Sequence, residues 1–373
     1  MLERRLHIAD FVEKNKVVVL YGPRQVGKTT LLNQYLLDKN NYILKTGDDI
    51  PFSHDFSTCS LDLLRKMIPA HSLLIIDEAQ KIPNIGRALK LVIDNIDGVE
   101  VIVTGSSSFD LANTTDESLT GRKKVITLYP LSMEELLNNK LSQYDLDKKL
   151  EDFMIYGLYP EVYLMTTHNE KVEKVTELAN SYLLKDILSF DTIKNSRVMF
   201  DLLKLIAFQA GSLVSTTELA SQLGVDKKTV ARYLDLLEKS FVLYRLNAFS
   251  SNLRKEIIKM SKYYFYDLGI RNALIANFNA FSDRNDVGML WENFLLIERI
   301  KKNSYLRRPV NYYFWRTYEK QEIDLIEESG GSLAAFEFKY SPSKKSKVPK
   351  DWLNSYQSSS FNIINKGNYT EFI

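Results

Sequence analysis

Cysteine is almost missing from this chain. A single Cys59 rules out an internal disulfide, and four scattered histidines in 373 residues leave no basis for a Cys/His zinc site. Long apolar runs are missing too. Bursts such as Val17–Leu20 and Leu73–Ile76 fall far short of the roughly 20 residues a membrane span needs. Met1–His7 carries charges where a signal peptide would need its apolar region. Excess charge of one sign is also lacking: 49 Lys+Arg against 47 Asp+Glu give +2, so nucleic-acid binding would have to come from a local patch. Internal repeats are absent, and the one biased stretch is the lysine-rich Ser341–Lys350. What remains is 45% hydrophobic and 26% charged, enough to bury cores. These features predict a cytoplasmic protein of two or three domains with no membrane partner.

The patterning divides the chain. β-branched bursts at Val17–Leu20, Tyr42–Leu44, Leu73–Ile76, Val99–Val103 and Val125–Leu128 alternate with amphipathic stretches such as Thr29–Leu37 and Ser60–Ile68. That rhythm predicts a parallel sheet flanked by helices. Helical periodicity takes over from Ser132 to about Ser240, and short strands return at Tyr312–Trp315, Glu322–Ile326, Ala334–Phe338 and Phe361–Ile364.

Gly22-Pro-Arg-Gln-Val-Gly-Lys-Thr29 fits G-x-x-x-x-G-K-[ST] between an apolar strand and a helix-forming run. Gly22 and Gly27 permit tight turns, and the backbone of Pro23, Arg24, Gln25, Val26 and Thr30 completes a phosphate cradle at a helix N-terminus. Lys28 can reach β- and γ-phosphates, and the Thr29 hydroxyl can ligate Mg²⁺. Leu73-Leu-Ile-Ile-Asp-Glu78 reads as a buried strand ending in two carboxylates at the sheet edge where ligands sit. Asp77 would hold Mg²⁺ through water, and Glu78 would polarise the attacking water. Thr104 and Ser106, after a third strand, are candidates for sensing the γ-phosphate, although turn chemistry explains them equally. Arg122 is a candidate γ-phosphate contact in cis or across a subunit interface; a solvated arginine is the ordinary alternative. ATP and Mg²⁺ are the expected ligands.

Thr217–Gly224 followed by Val225–Leu237 reads as helix-turn-helix, with Asp226 capping the second helix and Val230, Leu234 and Leu237 on its apolar face. Lys227, Lys228, Thr229 and Arg232 fall on its exposed early turns, where a recognition helix meets DNA. Phe241–Asn247 and Tyr263–Tyr266 read as wing strands. From Asp226 to Lys262, nine Lys/Arg face four Asp/Glu, a net of +5. DNA contact and a rigid-spacer role stay equally open. Farther on, Glu292 lies on a helix, and Glu322-Ile-Asp324 and Phe336-Glu-Phe-Lys339 form a hairpin turning near Gly330. Asp324 then falls almost opposite Phe336 and Glu337, with Glu337 and Lys339 on one face. Asp324, Glu337 and Lys339 can converge on a divalent ion, with Glu292 joining from the helix. Spacing alone fits an amphipathic surface hairpin better.

The set Gly22–Thr29, Leu73–Glu78, Thr104–Ser108, Gly121-Arg-Lys, Tyr129–Ser132, Tyr156–Glu161 and Glu337-Phe-Lys339 resembles bacterial and archaeal AAA-type ATPases with a nuclease-like C-terminal domain of unknown function. The resemblance implies an α/β chain: a P-loop ATPase core over 1–132, a helical linker or lid over 133–200, a winged helix over 201–270 and a restriction-endonuclease-like domain over 271–373. The function expected of such an architecture is ATP-dependent conformational work on DNA, with the C-terminal domain engaging or cutting it. A nucleotide-driven switch for a protein partner and a DNA-binding regulator with a purely structural nuclease-like domain are the alternatives. Assembly into a homo-oligomer is compatible with all three.

Overall fold

The computed structural model describes residues 2–105, 119–139, 141–188, 195–250, 260–344 and 346–373, with the backbone alone for 181–188. Two compact units emerge: Leu2–Pro130 with Lys239–Phe241, and Leu131–Glu238 with Val242–Ile373.

The N-terminal unit is built on a parallel sheet of β1 (Val17–Tyr21), β2 (Tyr42–Thr46), β3 (Leu73–Asp77), β4 (Glu100–Gly105) and β5 (Lys123–Thr127), in the order β2-β3-β4-β1-β5. All five residues of β1 are buried, as a strand with neighbours on both sides and helices over both faces requires. Strand β2 lies at an edge and leaves Tyr42 and Leu44 exposed. Because the strands are parallel, the C-terminal ends of β1, β3 and β4 lie at one edge of the sheet.

The C-terminal unit opens with helices at Met133–Asn138, Gln143–Tyr156, Pro160–Leu164, His168–Leu188 and Ser196–Phe208. The first begins in a capping box, in which the Ser132 side chain accepts from Glu135 N and the Glu135 side chain accepts from Ser132 N. Helices Thr216–Leu223 and Lys227–Lys239 flank Gly224, whose φ of +64° ends the first of them in the left-handed region. A seven-stranded sheet follows in the order β12-β11-β10-β9-β7-β8-β6. Its strands are β6 (Leu213–Val214), β7 (Leu243–Ala248), β8 (Ser261–Phe265), β9 (Asn311–Arg316), β10 (Glu322–Ser329), β11 (Ser332–Phe338) and β12 (Ser360–Ile364). Asn247 pairs with Tyr313 in the parallel β7–β9 ladder, so one sheet runs through the expected division at residue 270. A β7 edge left open there would expose unpaired backbone groups, and β9 closes it.

Candidate functional site

At the C-terminal edge of the N-terminal sheet, the chain leaves β1 through Gly22 and enters the helix Lys28–Leu36 through Gly27, at φ +150° and +96°. A Cβ on Gly22 would lie 2.1 Å from the Leu128 carbonyl oxygen, so this backbone approach is open to glycine alone. Val26 and Pro23 turn inward, whereas Gln25, Thr29 and Thr30 are exposed. The buried Lys28 ammonium donates to the carbonyls of Gly22 at 2.7 Å and Pro23 at 2.8 Å. Thr29 Oγ1 donates to Asp77 Oδ2 at 3.1 Å, which brings the two expected Mg²⁺ oxygens side by side. Thr104 is fully buried and its hydroxyl donates to Asp77 Oδ1. That hydrogen bond orients the Asp77 carboxylate. Glu78 takes the left-handed conformation at φ +50°, and its N–H reaches Thr104 Oγ1 at 3.2 Å. Its carboxylate accepts Gln80 Nε2 at 2.7 Å.

The C-terminal unit gathers its own charged cluster. Leu325 pairs with Phe336 across β10 and β11, which sets Asp324 against Glu337, and Phe338 N donates to Asp324 Oδ2 at 2.8 Å. Lys339 Nζ donates to Glu337 at 2.6 Å. Glu292, from the helix Val287–Tyr305, lines a cavity of about 450 Å³ together with Asp324, Lys339 and Lys344. Glu292 Oε1 accepts Tyr264 OH at 2.6 Å and Lys262 Nζ at 3.1 Å. Burial, then the charges of Glu292 and Glu337, push the Asp324 carboxyl well above the usual carboxylate range, against the pull of Lys262. Burial opposes the charge on Lys262, yet Glu292 and its other anionic neighbours carry that ammonium well above the usual lysine value. The four expected residues therefore come together. Among the described residues, however, no three or more His, Cys, Asp or Glu side chains are grouped to hold a metal ion. Asp324 accepts a backbone N–H and Glu337 accepts the Lys339 ammonium.

On the helix Lys227–Lys239, Lys227, Lys228 and Arg232 are exposed. Thr229, in the first turn, donates its N–H and its hydroxyl to the capping Asp226 side chain at 2.8 and 2.7 Å.

Residues 14–137 match the AAA domain family. Over those residues the N-terminal unit is similar to AAA domains. Residues 147–280 and 287–371 match two families described as domains of unknown function. The chain is 27% identical over 344 residues to an uncharacterized protein of Mycobacterium tuberculosis, covering 91% of this chain and 72% of that one. It is 24% identical over 335 residues to an uncharacterized protein of Methanocaldococcus jannaschii, covering 84% and 72%. Among solved structures, a Walker-type ATPase of Pyrococcus abyssi is similar at 16% identity and a TM-score of 0.46, covering 69% of this chain and 91% of that one. No helix among the described residues is long and apolar enough to cross a membrane.

Two arginines of the N-terminal unit bear on the site. Arg122 lies at the start of β5, where Val17 N donates to its carbonyl, while the loop from Gly22 leaves the other end of β1. The length of a five-residue strand, roughly 15 Å, separates them. Its guanidinium engages Asp94 at 2.9 Å. Arg4 carries no signal in the sequence, yet it is buried and donates to the carbonyls of Val26 and Tyr129, each at 2.6 Å. It braces the phosphate loop from behind. Ser106 lies outside the described residues.

Proposed function

We propose that the AAA domain binds Mg·ATP in the Gly22–Thr30 loop and hydrolyses it slowly, with the Thr29–Asp77 pairing as the observation that carries the reading. Two hard oxygen donors side by side, next to a lysine and a glycine-rich helix start, match what Mg²⁺ and phosphate require. Bound Mg²⁺ would be held by Thr29 and, through water, by Asp77, and would offset charge on the β- and γ-phosphates. Lys28 exchanges its loop carbonyls for phosphate oxygens. Glu78 orients and deprotonates the attacking water, with Gln80 fixing its carboxylate. Binding of a fluorescent ATP analogue tests the first step. Lys28→Ala should abolish it, and wild-type affinity in that variant would refute the assignment.

We assign the exposed Arg122, at the far end of the strands from the loop, to the γ-phosphate of a second copy. That role requires a homo-oligomer.

A second reading concerns DNA. The exposed Lys227, Lys228 and Arg232 at the start of the second helix of a helix-turn-helix favour a winged-helix module that binds duplex backbone with little sequence preference. Each lost phosphate contact lowers the slope of log affinity against log salt by about one unit. A Lys227/Lys228/Arg232 triple-alanine variant should bind duplex more weakly and with a flatter slope. If the variant binds like wild type at every salt concentration, the basic face serves solubility, and a nucleotide-driven switch acting on a protein partner becomes the better account.

A further inference from the structure

The carboxylates around the C-terminal cavity are neutralised from inside the protein. Lys262, on β8, is buried to 1% exposure, and its ammonium lies 3.1 Å from Glu292 Oε1 and 2.7 Å from Glu322 Oε1. The ring of Phe314 closes over it at 5.6 Å. Arg316 takes the other oxygen of Glu322 at 2.6 Å, and Lys339 takes Glu337 at 2.6 Å. Glu292, Glu322 and Glu337 thus each hold a cation of the chain itself, and Asp324 holds the Phe338 N–H.

We propose that Lys262 is the resident cation of this pocket and fills the part a divalent ion would otherwise play, so that the carboxylate cluster takes up no metal. An incoming Mg²⁺ needs oxygen ligands at about 2.1 Å and keeps several waters. To reach Glu292 Oε1 it would have to displace both the Lys262 ammonium and the Tyr264 hydroxyl, which share that oxygen. The displaced ammonium, walled in by Phe314 and the sheet, would stay within a few ångströms of a like-charged ion in a poorly solvated site, an unfavourable pairing. Replacing the metal by a tethered lysine keeps the acidic side chains together without any ion from solution. Lys262 and Tyr264 are in this account positioning residues: they fix the direction in which Glu292 faces the cavity.

Mn²⁺ uptake by the full chain without nucleotide, read by electron paramagnetic resonance, tests this. Wild type and Asp324→Asn should take up the same amount, because the Asp324 pocket holds no ion in either. Lys262→Met should gain about one Mn²⁺ per chain as the uncompensated carboxylates recruit a cation. A Lys262→Met/Asp324→Asn double variant should lose that gain, and Lys262→Arg, which keeps a cation in place, should show none. Mn²⁺ bound by wild type and lost in Asp324→Asn would overturn the proposal, as would a folded Lys262→Met that gains no Mn²⁺. Where Lys262→Met does not fold, the comparison of wild type with Asp324→Asn decides alone.

Discussion

Thr29 Oγ1 and Asp77 Oδ2 stand 3.1 Å apart although 48 positions separate them in sequence. The parallel sheet accounts for this: β1 and β3 run the same way on either side of β4, so the loop after one and the acidic end of the other share an edge. Removing one oxygen of the pair should show first in metal dependence. In Thr29→Ala, the Mg²⁺ concentration that half-saturates nucleotide binding should rise roughly tenfold or more, the order expected for losing one polar contact of about 1.5 kcal/mol. Binding measured in EDTA should change little. Unaltered Mg²⁺ dependence would remove Thr29 from the metal's ligands.

Gly22 tolerates no side chain. Its φ is +150°, and a Cβ there would stand 2.1 Å from the Leu128 carbonyl oxygen, a backbone atom that cannot swing away. Gly22→Ala should lower stability by about 1–3 kcal/mol or more, read as a fall in the unfolding temperature of the N-terminal unit. A wild-type transition would show that the loop can reshape.

Arg4 offers a sharper test of the phosphate loop's support. Arg4→Met strips charged hydrogen bonds from the carbonyls of Val26 and Tyr129, each worth about 1.5–3 kcal/mol in buried surroundings. Nucleotide affinity should fall along with stability in denaturant titration. Arg4→Lys should rescue little, because one ammonium lacks the planar fork that spans both carbonyls. Full rescue by lysine would mean that charge alone matters.

The raised carboxyl of Asp324 predicts a pH signature. Its proton is held more tightly in the folded chain, so its contribution is undiminished below the ordinary aspartate pKa of about 4 and is lost as pH rises toward the folded value. Asp324→Asn cannot ionise, and its amide oxygen can still accept the Phe338 N–H. The variant should therefore gain in unfolding temperature relative to wild type on going from pH 4 to pH 8. A difference independent of pH would contradict the assigned direction.

Much of this is legible in the sequence because the signals are local. A phosphate loop needs its glycines, lysine and threonine within eight consecutive positions, and a buried strand ending in Asp77-Glu78 advertises its own edge. The hairpin about Gly330 likewise sets Asp324 near Glu337 by counting alone. What escapes depends on contacts that spacing does not encode. Arg4 reaches carbonyls 22 and 125 positions away. Arg122 follows a glycine and precedes a strand, and only the sheet order reveals that it sits at the edge opposite the phosphate loop. Lys262 adds to the basic excess that sequence offers to DNA, whereas its ammonium is buried between two glutamates.

Hydrolysis in the proposed reaction rests on Glu78, which activates water on ATP held in the Gly22–Thr30 loop. The decisive measurement is single-turnover ATP hydrolysis by wild type and Glu78→Gln with both saturated in Mg·ATP. The account predicts that Glu78→Gln binds ATP as tightly as wild type and that its hydrolysis rate falls by about 10²–10⁴-fold, the usual consequence of losing a positioned base. Equal rates in the two proteins would contradict it.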